Sequence, residues 1–290
     1  MAHDQYEERK RLTFEQAEGL APLPSQLNRT EITPVLRARF WILFNDIIER
    51  FSHFTLSAYY MTSPWDDIVR DEYVYRHGGF IDGETHRKVV AQERFKRIIQ
   101  FGTYDELYGL IQFVLHHPKC PKFFAPSVQS ILDEQRSAYR VIGGDTLVPI
   151  ASDEVANAIN AALDASNKTK LRGSHTHLRQ ASIELSNGSF ANSVRESISA
   201  VESIARVLEP TADLSKALGR LERSGHLHKA MKHGFGSLYG WTSDEDGIRH
   251  ALLEDGDAKV DETDALFMIG ACASFVSYLI AKKRAAGIAD

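Results

Sequence analysis

The 290-residue chain has only two cysteines, Cys120 and Cys272, and their spacing suits neither a metal centre nor a disulfide framework. Cys272 sits in an apolar helical run and reads as a small core residue. There is no surplus of positive charge: 34 Lys and Arg stand against 39 Asp and Glu, a formal net charge of -5. The halves are alike, with 18 basic and 20 acidic residues in 1–150 and, by difference from the totals, 16 and 19 in 151–290. A general nucleic-acid binder carries a basic excess, so any contact with RNA or DNA has to come from a local patch. The longest apolar stretch, Ile269 to Ala281, is interrupted by serines and falls short of the ~20 residues that span a bilayer. No membrane association is therefore expected. The opening MAHDQYEERKRL lacks the apolar core of a secretory signal. Together with the sparse cysteines, this predicts a cytoplasmic protein. Internal repeats, low-complexity segments and a glycine-rich phosphate loop are also missing from the sequence.

What is present is helical periodicity. The composition, 43% hydrophobic and 25% charged, supports about two domains with separate cores. After the proline-bearing lead-in EGLAPLPSQLNRTEITP, Thr33 and Pro34 form a cap and first-turn proline. Leu36, Phe40, Leu43, Ile47 and Phe51 then mark one helix face. Ser63-Pro64 opens a second helix that stops at Gly78-Gly79. A third carries Val89, Phe95, Ile98 and Ile99. A fourth begins with a capping box, Thr103 and Glu106. A helix into Tyr139 leads to a hairpin, YRVIGGDTLVPI, turning at Gly143-Gly144-Asp145. Ser152 caps the next helix.

The polar segment Ser166 to Ser174 is the best linker, which divides the chain into 1–165 and 166–290. The second part reads as an up-and-down bundle. Phe190, Val194, Ile198, Val201, Ala205 and Leu208 keep three–four spacing. A further helix is expected to end at Gly240, and another to begin with Thr242 and Glu245 as a capping box. The last helix carries Ala265, Met268, Cys272, Phe275, Val276 and Leu279 on its core face. The fold class expected is thus mainly α, with one short hairpin in the first domain.

Several polar groups invite functional readings. HTH at His175–His177 and HLH at His226–His228 place imidazoles two apart. At helix starts these diverge by ~200°, and no third ligand is spaced for a metal, so none is expected. His116 and His117 end a helix and suit its dipole. Arg136, Tyr139 and Arg140 could read a ligand or clamp the hairpin, and the clamp is the better account. Arg70, Arg76, Arg94, Lys96 and Arg97 interleave with aromatics as a binding surface would, although a solvated helix face explains them too. Glu196 and Glu202 lie in an apolar helix, as site residues or on a solvated or capped face.

Four segments, EQRSAYRVIGGDTLVPIAS, ANSVRESISAVESIARVL, LSKALGRLE and FGSLYGWTSDEDGIRHAL, together resemble a bacterial family. Its members join an AbiJ-type N-terminal domain to a HEPN-like helical bundle. The resemblance covers nearly the whole chain. It implies an abortive-infection or toxin protein of phage defence, working as a homodimer and triggered by a phage or host protein. It also implies a metal-independent endoribonuclease without cofactors, acting on RNA through an Arg-x(4–6)-His motif. A histidine base suits attack by the 2′-hydroxyl, and an arginine fork suits the charge that develops on phosphorus. The family's position falls on Arg249 and His250, with Glu202, Asp246 and Tyr239 as supporting residues.

No histidine follows Arg249 at the family's spacing. That spacing occurs instead at Arg70/His77, Arg172/His177, Arg220/His226 and Arg223/His228. The alternatives are a structural role, with Arg249 tied to Glu202 or Glu196, and a non-catalytic bundle that binds a nucleotide, RNA or protein.

Overall fold

Three helices begin where the sequence offers a side chain to the first free amides, whereas the helix expected to open at Ser63-Pro64 has Pro64 itself at its N-cap and no side-chain cap bond. Thr33 Oγ1 accepts from the Leu36 amide at 3.1 Å ahead of Pro34. Thr103 and Glu106 cap each other's amides, with Thr103 N donating to Glu106 Oε2 at 2.8 Å. Ser152 Oγ accepts from Val155 N at 3.3 Å. In a computed structural model describing residues 14–20, 25–55, 58–150, 152–169, 171–208, 214–244 and 260–285, the chain divides into two compact units, 1–145 and 146–290.

The first unit contains α1 (Phe14–Ala17), α2 (Pro34–Arg50), β1 (Ser52–Thr55), β2 (Ala58–Met61), α3 (Trp65–His77), α4 (Lys88–Phe101), α5 (Tyr104–His116), α6 (Phe124–Glu134) and β3 (Arg140–Ile142). Its core is aromatic. Phe44 meets the rings of Trp65, Phe95 and Phe124 edge-on at 5.9, 5.5 and 5.7 Å. All four are fully buried, and they come from α2, α3, α4 and α6. Edge-to-face contacts add to the burial of four large rings. Helix α3 stops at Gly78, whose φ of 62° is open to glycine at little cost.

The antiparallel β1–β2 hairpin, with Phe54 opposite Tyr59, adds a second hairpin to the one expected. The segment SHFT…AYYM is rich in aromatic residues that favour strands, but it follows directly on a helical pattern. The expected hairpin forms from β3 and β4 (Thr146–Val148), with Gly143 and Gly144 both at positive φ in the turn. Arg140 is 3% exposed and clamps this region. It donates to the carbonyls of Ser137 and, at 2.8 Å, Tyr139, and pairs with Asp133 at 3.1 Å.

The second unit contains β4, α7 (Asp153–Lys168), α8 (Arg172–Ser186), α9 (Phe190–Leu208), α10 (Leu214–Arg223), α11 (Lys229–Asp244) and α12 (Glu262–Ala285). The segment expected to be a linker is mostly helix, since α7 runs to Lys168 and α8 starts at Arg172. Ser166, Thr169 and Ser174 are buried there. Small hydroxyl residues fill inward positions that apolar side chains would otherwise mark, and this hides the helical pattern. Helix α7 packs on α8 and α12, and the division expected at 165 falls within it.

Helix α11 runs through Gly240 to Asp244, where the sequence suggested a stop. Thr242 is a buried interior residue whose hydroxyl donates to the Tyr239 carbonyl at 2.8 Å. The expected cap partner Glu245 lies outside the described residues.

All six expected core residues of α12 are buried, as are Ile269, Gly270, Ala273 and Ile280. At 24 residues α12 is longer than the apolar stretch suggested, and by length and composition it could cross a membrane. Its buried face packs against α7, α8 and α9, as in a core helix of a packed unit, while Phe267 is 60% exposed.

Truncating Phe44 to Ala removes the ring at which three others converge. Urea unfolding of that variant is expected to show a loss of about 3–5 kcal/mol; a loss below about 1 kcal/mol would mean the aromatic cluster is not the core of the first unit.

Candidate functional site

In the second unit α8 and α9 lie close together because small residues face each other. A Cβ at Gly173 would come within 2.8 Å of Ser203 Oγ. Ser174 Oγ donates to the Ala200 carbonyl and Ser193 Oγ to the Ala181 carbonyl, both at 2.8 Å. These serines are buried, and carbonyl bonds satisfy them. Near the middle of this pair His177 Nδ1 meets Glu196 Oε2 at 2.7 Å, with the imidazole 37% exposed. A carboxylate at Nδ1 fixes the orientation of the ring and leaves Nε2 outside that bond. That is the arrangement of an oriented general base.

Of the expected site residues, Arg249, His250 and Asp246 lie outside the described residues. Glu202 is on α9 and Tyr239 on α11, two helices in contact. The Glu202 side chain is 16% exposed and lies 3.9 Å from Arg206. Tyr239 is half-buried.

The four Arg–His spacings fare differently. Arg70 pairs with Asp71 at 2.9 Å and His77 with Glu72 at 2.9 Å. Arg223 Nε donates to the Gly219 carbonyl of its own helix at 3.2 Å, and His228 Nδ1 accepts from the Ala230 amide at the start of α11. At the Arg220/His226 spacing, the backbone of His226 closes the turn after α10, its amide donating to the Leu221 carbonyl. Arg172/His177 remains the pair on α8, with Arg172 exposed.

The first unit holds a charged cluster on α3. Asp66 meets His86 at 2.8 Å, and Asp67 meets Lys119 at 2.7 Å and Ser63 at 2.8 Å. Asp71 meets Arg70 and, at 3.2 Å, His117. Glu72, fully buried, is reached by Arg76 at 3.0 Å, His77 at 2.9 Å and Arg94 at 3.1 Å. Arg94 also lies over the Tyr73 ring at 4.6 Å and donates to the Val69 carbonyl at 2.7 Å. Burial pulls its guanidinium below the ordinary value, against the raising effect of the Glu72 charge.

Hydrogen bonds from Lys119 and Ser63 hold Asp67 below its ordinary 3.8. At Asp71 burial pushes upward, but the bonds from His117 and Arg70 outweigh it and the net direction is down. Arg70, Arg76 and Arg94, considered as a binding surface, are thus engaged in ion pairs. The only sequence signal for Glu72 was its i,i+4 spacing to Arg76; nothing in the pattern announced Arg94. Among the described residues no group of His, Cys, Asp or Glu is arranged to hold a metal. Burial raises both thiols, Cys120 to about 11 and Cys272 to about 12, so neither is an activated nucleophile.

These features define a two-unit, mainly helical protein with an ion-paired first unit and a serine-stitched helical second unit. Residues 12–165, more than half of the chain, match the family described as AbiJ N-terminal domain 4, and the chain belongs to that family. The domain places it in the context of abortive infection, a form of phage defence. No curated protein and no solved structure matches the chain.

Replacing Glu72 by Leu leaves Arg94 buried without its counter-charge, and a destabilisation of about 3–5 kcal/mol is expected. Pairing it with Arg94→Met should recover much of that loss; strictly additive losses in chemical denaturation would show the two are not coupled.

Asp67 and Asp71 have depressed folded-state values. Their contribution is fully present above 3.8 and is lost as pH falls through the lower folded values. Thermal melting should therefore show an acid loss below about pH 4 that shrinks in Asp67→Asn; an unchanged acid profile would remove Asp67 from the account.

Proposed function

We propose that this chain is an effector of abortive-infection defence, acting in the cytoplasm. In this reading residues 1–165 sense a phage or host protein trigger, and residues 166–290 form a HEPN-like bundle that cleaves RNA as a homodimer. The observation that carries it is the family match over residues 12–165, followed along the chain by a second, almost entirely helical unit.

The reaction is transesterification. A base takes the proton of a 2′-hydroxyl as its oxygen attacks the adjacent phosphorus. The bond to the 5′-oxygen breaks, and a proton returns to that leaving oxygen. Arg249 and His250 are the catalytic pair, the arginine stabilising the extra charge on phosphorus. Glu202, Asp246 and Tyr239 support them. His177, held by Glu196 through Nδ1, is a second candidate base supported by geometry. Most apolar residues of α12 are buried inside the unit, while Phe267 is 60% exposed and remains open to a second copy.

A second reading has one specific observation in its favour. The bundle binds a nucleotide, RNA or protein without catalysis, because no histidine follows Arg249 at the family's spacing. Both readings are separated by incubating labelled total RNA and tRNA with the purified full chain in EDTA. Wild type is set beside Arg249→Ala, His250→Ala and His177→Ala, with folding checked by circular dichroism. The nuclease reading expects cleavage by wild type, lost by about 100-fold or more when a catalytic base or arginine is removed. Cleavage unchanged in all three variants would remove Arg249, His250 and His177 from the catalytic site, and none by a wild-type dimer supplied with phage lysate as trigger would transfer the weight to the binding reading.

A further inference from the structure

Helices α2 and α4 enclose a cavity of about 570 Å³ on the first unit, within the range of small-molecule sites. Its residues come in helical register: Pro34, Arg37, Ala38 and Trp41 from α2, and Lys96, Ile99 and Gln100 from α4, with Phe101 at the rim. Two flat aromatic groups face it. Trp41 is half-buried and Phe101 is 73% exposed. Neither is needed to close the core, which is centred on Phe44.

The basic groups at this cavity differ from several others in the unit. Arg70, Arg76, Arg87, Lys88, Arg94 and Lys119 are each ion-paired to a carboxylate. No acidic side chain among the described residues lines the α2–α4 cavity. Arg37 is fixed there by donating to the carbonyls of Ile99 at 2.7 Å and Gly102 at 2.8 Å. Lys96 has no carboxylate partner among the described residues, and its ammonium lies 5.7 Å from the Trp41 ring centre. The neighbouring cavity of about 520 Å³ offers a contrast, because Asp82, Glu84 and Glu93 line it together with Arg94 and Arg97.

A fixed guanidinium, a long-stemmed ammonium, two aromatic faces and an amide at Gln100 match one kind of ligand: a planar heteroaromatic group carrying an anion. We propose that the α2–α4 cavity binds a nucleotide, with the base on Trp41 and Phe101 and the phosphate at Lys96 and Arg37. Base stacking on an indole is stronger than an exposed lysine–indole contact. The base therefore displaces the ammonium, which turns to the phosphate. A free nucleotide and the end of a single RNA strand share this chemistry. The proposal stands apart from the nuclease reading, because it concerns the first unit and is measured by binding alone.

The test is calorimetric titration of the full chain with AMP, ATP, a five-residue oligoadenylate, tripolyphosphate and laurate, at low and high salt. Binding of AMP or ATP is expected, weakened by salt. Trp41→Ala should weaken it by about tenfold, as for loss of one stacking platform. Lys96→Ala should weaken ATP more than AMP, while Trp41→Phe, which keeps a ring and guards against misfolding, should bind nearly as wild type. Tighter binding of the oligoadenylate than of AMP would support the site and name an RNA strand as its source. Equal binding of tripolyphosphate, preference for laurate, no nucleotide binding at millimolar concentration, or nucleotide binding indifferent to both Trp41→Ala and Lys96→Ala would each overturn the proposal.

Discussion

A carboxylate stripped of water has to have its charge and lone pairs met by the protein. Glu72 is in that position, fully buried on α3, and much of the first unit is arranged around it. Arg76 and His77 come from its own helix, while Arg94 comes from α4. Arg94 is itself buried, so the two charges fix the approach of α3 and α4 more narrowly than apolar packing does. The same helix carries Asp66, Asp67 and Asp71, each held by a partner from another part of the unit or from its own flank. Beside this polar seam the rings around Phe44 supply the non-directional part of the stability.

The second unit solves its packing differently. Helices α8 and α9 approach through glycine and serine rather than through large side chains. Ser174, Ser182, Ser193 and Ser197 each give their buried hydroxyl to a backbone carbonyl, so close approach is obtained without orphaning those polar atoms. Helix α12 then fills the remaining apolar space and is buried on several sides. The His177–Glu196 pair sits on the open side of the α8–α9 seam, where a rigid backbone holds an ionisable pair near solvent.

The family match ends at residue 165, whereas the first compact unit ends at 145. Helix α7 belongs to the matched sequence but packs with α8 and α12. A segment inherited with one domain thus supplies part of the other unit's core, and a truncation at 165 would divide that packing.

Caps, stops and periodicity were legible in the sequence because they are local. Thr33, Thr103, Ser152, Gly78 and the Gly143-Gly144 turn all act within a few residues of where they stand. The class of fold and the core face of α12 follow from the same short-range pattern, whereas on α2 it named Leu36, Phe40 and Ile47 but missed the buried Phe44 and Ile48 and included Leu43 and Phe51, which are only half-buried. The exceptions were also local in origin. Gly240 looked like a helix end, yet α11 continues through it, and the polar Ser166–Ser174 segment is mostly helix. What tertiary structure alone decided is which distant groups meet: Glu72 with Arg94, His177 with Glu196, and Trp41 with Lys96 beside Arg37. Sequence separation carries no information about these encounters. They depend on helix rotation and crossing, which are set by packing over the whole unit. A residue's charge is written in the chain, but whether that charge is buried, paired or left facing a cavity is settled only once the helices have closed on one another.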